Sequence, residues 1–152
     1  MIDKAVAALV KACLMFAAPV SRPVSVDVLG DASEAIITYR EILEADEHNV
    51  RALRALDRLH AGQGQWVELA EVIERQLALT KDEAEQTALR VRLGALQEAE
   101  LGNAQQAIDS YRTVLESRPE NAEALGALER LLADPGYQAT IADILEPIYR
   151  NH

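Results

Sequence analysis

The chain has 152 residues, a formal net charge of −10, a single cysteine and few aromatic residues. That length suits one cooperative core better than two domains, and the Ala- and Leu-rich composition favours packed helices over a sheet. The charge argues against nucleic acid or an anionic bilayer as a bulk partner, and Cys13 alone forms no internal disulfide.

Residues 1–18 place Ile2, Val6, Leu9, Val10, Cys13, Leu14 and Phe16 mostly on one side of an amphipathic helix, with Lys4 and Lys11 interrupting the run. The stretch is too short and too charged to span a membrane. It reads as a helix packed on the first repeat, with a secretory signal as the alternative because the apolar run ends in Ala17-Ala18-Pro19. Residues 19–29 read as a linker: Pro19 and Pro23 oppose a helix, and Val24, Val26 and Val28 alternate with polar residues in an extended pattern.

From Asp31 the pattern becomes helical. Asp31 or Ser33 is expected to cap a helix burying Ala35, Ile36, Tyr39, Ile42 and Leu43. Asn49 caps a second helix carrying Ala52, Leu53, Leu56 and Leu59, which stops at Gly62-Gln63-Gly64. A third, from about Gln65 to Leu79, buries Trp66, Leu69, Val72, Ile73 and Leu77. Thr80-Lys81-Asp82-Glu83 is a capping-box pattern that opens a long helix with Leu89, Leu93, Leu96 and Ala99 inward, closed at Leu101-Gly102-Asn103. Three more helices follow over 104–117, 121–132 and 137–150, with Pro119 between the first two.

Those last three repeat the first three. Ala35–Glu74 and Ala107–Glu146 align without a gap at an offset of 72 residues with 17 of 40 pairs identical, among them Tyr39/Tyr111, Leu43/Leu115, Asn49/Asn121, Leu53/Leu125 and Gly64/Gly136. The match reaches back to Leu29-Gly30 against Leu101-Gly102, so the unit is expected to begin at a glycine turn. Self-similarity at a fixed period marks a stacked helical repeat. Short connections make neighbouring helices antiparallel, so the expected fold is all-α: a right-handed α-solenoid of helical hairpins over 30–152, preceded by a degenerate N-terminal helix and linker.

Gly102 to Gly136 spans 34 residues, and Leu93-Gly94, Gly102, Ala107, Tyr111 and Pro119 set small residues against large ones. In this the chain resembles the tetratricopeptide repeat family, over about Gly30 to Arg150. It is most similar to long bacterial arrays whose units end in a string like Leu145-Glu146-Pro147-Ile148-Tyr149. Glu47 in place of the family's proline, Leu69 and Ile141 in place of a small residue, and the extra residues around Thr80–Glu85 depart from the pattern. The resemblance implies a non-enzymatic protein-interaction scaffold that holds a partner segment on a concave face lined by the first helix of each hairpin. By register, Arg51, Arg54 and Arg58, then Glu123, Gly126 and Arg130 one period on, occupy that face.

Three arginines at i, i+3 and i+7 share one side of a helix and offer guanidinium forks to a carboxylate. The asparagines of the family's carboxylate clamp are absent, and pairing with Asp57 or Glu47 is the competing role for Arg54 and Arg58. Trp66 is expected in the core, Glu68, Glu71, Glu74, Asp82, Glu83 and Glu85 on solvated faces, and His48 and His60 at the surface. No nucleophile with a base, phosphate loop, metal-ligand cluster or dinucleotide fingerprint occurs in the sequence, so no cofactor or catalysis is expected. The last helix presents Leu145, Ile148 and Tyr149 to an uncovered end, which points to self-association there or to a segment of a longer array acting through its ends. An accessory domain of an enzyme is the remaining alternative. The compartment expected is the cytoplasm, or outside it if residues 1–18 act as a signal.

Overall fold

A computed structural model of the protein describes residues 26–151. The expected helix over 1–18 and most of the expected linker lie outside them. The described chain is all-α, in the order α1 (Val26–Ala45), α2 (Val50–Gln63), α3 (Trp66–Leu79), α4 (Glu83–Ala99), α5 (Ala104–Ser117), α6 (Ala122–Leu131) and α7 (Gln138–Arg150). It divides into two compact units, Met1–Leu79 and Thr80–His152. Each holds one copy of the duplicated stretch and its own hydrophobic core.

In the first unit α1 packs on α2 and α2 on α3. The apolar residues recur at three and four along each helix, so one face of each closes on Ile36, Ile42, Leu43, Ala52, Leu53, Leu56 and Val72. Burial of side chains of this kind stabilises by roughly 1.5 to 3 kcal/mol apiece before chain entropy is set against it. The α1–α2 corner is tight because Asn49 works twice. Its backbone N–H donates to the Asp46 carbonyl at 3.1 Å, and its side-chain oxygen accepts the Ala52 N–H at 3.0 Å. Gly64 ends α2 in the left-handed region at φ 66°, a conformation that costs other residues a Cβ clash. Arg75 on α3 reaches back to the Glu47 carbonyl at 3.1 Å.

In the second unit α4 and α5 form a hairpin, α6 packs on α5 and also meets α4, and α7 packs on α6. Gly102 at φ 62° stops α4. Asn103 caps α5 through the Gln106 N–H, and Asn121 caps α6 through the Ala124 N–H at 2.9 Å, as Asn49 does one period earlier. Pro119 sits between α5 and α6, where its missing N–H costs no helical bond. Helix α7 runs through Pro147, which supplies no N–H to the turn before it.

Several expectations fail for identifiable reasons. Val26–Val28 are helical, not extended, and Gly30, Asp31 and Ser33 lie inside α1, not at its start. Beyond Pro23 nothing blocks the helix, and adding one hydrogen bond per residue to an existing helix outweighs a short valine alternation. Thr80 does not cap α4. Asp82 does, through the Ala84 N–H at 3.2 Å, while the Thr80 hydroxyl donates to Glu85 at 2.6 Å. Ala99 is exposed, and Gln97 is buried instead. Trp66 is only half-buried, its ring lying against Gly64, and Glu68 is half-buried as well.

His60, expected at the surface, is 1% exposed. It closes the end of α2 by a 2.6 Å hydrogen bond between Nδ1 and Gln65 Oε1. Nearby, Gln76 of α3 donates to buried Asp57 of α2 at 2.7 Å, joining the two helices through a polar contact in the interior. Leu145 is 4% exposed within the core of the second unit. Of the three residues expected at an uncovered end it is therefore not available. Ile148 is half-buried and Tyr149 exposed.

Candidate interaction surface

Helix α2 buries Ala52, Leu53, Leu56, Asp57 and His60, which leaves its opposite side to Arg51, Arg54 and Arg58. At 100° per residue these three fall within an arc of about 60°, so the guanidinium groups emerge from one stripe. All three are exposed. A cavity of about 420 Å³ in the first unit lies elsewhere, on the side of α2 that carries Leu56 and His60, and is bordered by Arg40, Glu44, Glu68, Glu71 and Arg75. The arginine stripe is thus an exposed row of charges and not the wall of that cavity.

In the second unit the register-matched residues are split. Glu123 is exposed at the first turn of α6 and helps to line an open groove of about 880 Å³. One wall is the face of α4 carrying Ala84, Thr87, Ala88 and Val91, and the other is the α5–α6 corner from Arg118 to Glu123. Small side chains on α4 keep this groove open, while Arg118, Glu120 and Glu123 make its rim charged. Arg130, two turns further along α6, is engaged within the unit. It lies 3.6 Å from the Glu98 carboxylate of α4, which also accepts the Tyr111 hydroxyl at 3.1 Å. Gly126 is half-buried between the two.

The Tyr111–Glu98–Arg130 chain changes the chemistry of its members. Burial of the Tyr111 hydroxyl, then the charge of Glu98 and the hydrogen bond to it, hold the phenol well above its ordinary value near 10, with Arg130 acting weakly in the other direction. Tyr149 on α7 donates to Glu129 of α6, and that hydrogen bond raises its phenol too. Sequence reasoning missed Glu98 and the α4 wall of the groove. The visible signal was Gly94, one turn before Glu98, whose missing side chain admits the Tyr111 ring.

Among the described residues no group of three His, Cys, Asp or Glu side chains is placed to hold a metal ion, and no helix is long and apolar enough to cross a membrane. Residues 52–87 match the family model of the tetratricopeptide repeat, a span that covers most of α2, the whole of α3 and the start of α4. Residues 52–87 thus resemble a tetratricopeptide repeat. No curated protein matches the chain. In a tetratricopeptide repeat two antiparallel helices form the unit, and here the matched span makes α2 and α3 that pair. Repeats of this family serve as protein-interaction scaffolds, and that is the role the matched span suggests.

Proposed function

We propose that this chain is a non-enzymatic scaffold that holds a carboxylate-bearing segment of another protein against the arginine stripe of α2. The observation that carries the reading is the exposure of Arg51, Arg54 and Arg58 along one side of a helix whose other side is fixed in the core. In a chain of net charge −10 such a stripe is a local reversal of sign, which attracts acidic side chains or a C-terminal carboxylate while the rest of the surface repels them. A helix already ordered by packing loses little entropy on binding, so modest contacts suffice. In the second unit Glu120 and Glu123 give the groove along α4 acidic groups suited to a basic or amide-rich stretch.

The test is a peptide array varying acidic side chains and free C-termini, probed with the full chain and with Arg54→Glu/Arg58→Glu. The reading expects carboxylate-rich peptides to be retained by the wild type, to be lost by the double variant, and to weaken as salt is raised. An identical binding profile for both chains refutes it.

A further inference from the structure

His60 is a buried polar side chain that the packing of the first unit uses only in part. The stop at Gly64 turns the chain so that Gln65 comes back over the end of α2, and Gln65 Oε1 takes the hydrogen bond of His60 Nδ1 at 2.6 Å. With an amide oxygen as its acceptor, Nδ1 carries the proton. The lone pair is then on Nε2. Among the described residues Nε2 has no hydrogen-bond partner, and no side-chain nitrogen or oxygen there is sealed in the interior without one, so Nε2 is not closed off in the core. The imidazole, 1% exposed, lines the cavity of about 420 Å³, which is where that nitrogen opens.

Buried Leu43, Leu56 and Val72 give this cavity apolar walls, and three carboxylates border it: Glu44 from α1, Glu68 and Glu71 from α3. Arg40 and Arg75 border it too, but Arg75 donates to the Glu47 carbonyl at 3.1 Å. Three carboxylates against two guanidinium groups leave a net negative site with a neutral acceptor in its lining. Among the described residues no three such groups are placed to hold a metal ion. What answers both features is a nitrogen cation, which donates hydrogen bonds and brings the opposite charge. A guanidinium suits the site better than an ammonium, because its planar fork of five donors can meet acceptors from three helices while its aliphatic stem lies on the apolar walls.

The fold does not require this chemistry. One period later a cavity of about 270 Å³ is bordered by Arg112, Glu116 and Asp143, the counterparts of Arg40, Glu44 and Glu71. In that copy Leu132 stands for His60, Thr140 for Glu68 and Pro147 for Arg75. The imidazole and the third carboxylate therefore belong to the first copy alone.

We propose that the cavity bordered by α1, α2 and α3 is a binding site for an arginine side chain of a partner protein, with the guanidinium donating to His60 Nε2 and to the carboxylates of Glu44, Glu68 and Glu71. The site is on another side of α2 from Arg51, Arg54 and Arg58 and stands or falls independently of them.

The test titrates the full, isotope-enriched chain with a blocked tripeptide carrying a central arginine, and with the same peptide carrying lysine or citrulline, the last keeping the shape of arginine without its charge. Saturable amide shifts are expected along Leu56–His60 and Glu68–Arg75 with the arginine peptide, weaker binding with lysine and none with citrulline. His60→Leu installs the residue that the second copy already accommodates, and it is expected to bind about tenfold more weakly, as the loss of a hydrogen bond to a charged group implies. The double variant Glu68→Gln/Glu71→Gln alters side chains outside the core and is expected to bind several-fold more weakly, so it decides the matter even if His60→Leu lowers the melting temperature. Equal affinity for the citrulline or lysine peptide, shifts confined to other helices, unchanged binding by the glutamine double variant, or a folded His60→Leu chain that binds like the wild type each overturns the proposal.

Discussion

Gly94 on α4 and Tyr111 on α5 touch so closely that a Cβ at position 94 would lie 2.8 Å from Tyr111 Cε1. Tyr111 is 1% exposed, so its ring has nowhere to retreat. Gly94→Ala is expected to destabilise the chain although alanine is the better helix former. Overpacking a dense core costs about 1 to 3 kcal/mol, and the gain in helix propensity offsets about 1 of it. Urea unfolding of Gly94→Ala, Tyr111→Leu and the double variant checks the cause. If contact with the ring is responsible, the alanine costs much less once the ring is gone, and additive losses would reject that explanation.

The same tyrosine sets an alkaline limit. Its folded-state pKa lies above the unfolded value near 10, chiefly through burial and then through Glu98. Above pH about 10 the unfolded chain therefore gives up a proton that the native chain keeps, so the stabilisation is whole below that pH and is lost as pH rises further. Phenolate absorbance and helical circular dichroism followed together from pH 8 upward should show Tyr111 ionising only as helix is lost. Exposed Tyr149, also raised, should ionise without unfolding. Tyr111→Phe should flatten the alkaline fall, and ionisation of Tyr111 in the intact fold would contradict its burial.

Much of this fold was legible because the chain states it twice. The 72-residue offset pairs Asn49 with Asn121, and both prove to be caps; Gly64 and Gly102 stop helices as their positions suggested. The common face of Arg51, Arg54 and Arg58 follows from spacing alone. What escaped was polar burial. His60, Gln97 and the Asp57–Gln76 pair look like surface residues to any local pattern, since the partner that justifies each is on another helix or beyond a turn. Glu98 escaped likewise, because its contact with Arg130 spans 32 positions and joins two helices that are not consecutive. Gly30 and Gly102 align yet differ: one follows a helix that must stop, and the other lies within α1.

That difference at the start of the repeat is measurable. Asn49→Ala and Asn121→Ala each remove the acceptor for an N–H in the first turn and are expected to cost about 1 kcal/mol. Asp31→Ala, exposed within α1, is expected to cost a few tenths at most. Chemical unfolding midpoints of the three variants decide the matter. A loss at Asp31 equal to that at Asn49 would mean that α1 begins there after all.

The buried pair between α2 and α3 offers a test of polar packing. Gln76 Nε2 donates to Asp57 Oδ2 with both residues at 7% exposure, so Gln76→Leu replaces a donor to a buried carboxylate with a group that cannot solvate it. The expected loss is about 1 to 3 kcal/mol, against a near-neutral change had the same glutamine been on the surface. Asp57→Asn is expected to be milder, since a neutral amide still accepts from Gln76. If Gln76→Leu proves as stable as the wild type, the contact contributes nothing and the two helices are held by Leu53, Leu56 and Val72 alone.

Two glycines at the end of α2 should respond with opposite signs. Gly64 has φ 66°, and the nearest atom to a Cβ there is in the Trp66 ring at 3.6 Å, an ordinary contact, so any penalty comes from the backbone and not from crowding. Gly64→Ala is expected to cost about 1 to 2 kcal/mol, and Gly64→Asn less, because asparagine visits the left-handed region more readily. Gly62 is helical with nothing within 4 Å of a built Cβ, so Gly62→Ala is expected to gain up to about 1 kcal/mol. Thermal melts of the three single variants read this directly. If Gly64→Ala stabilised the chain as Gly62→Ala does, α2 would have to continue past Gly64, and His60 would lose the turn that brings Gln65 to it.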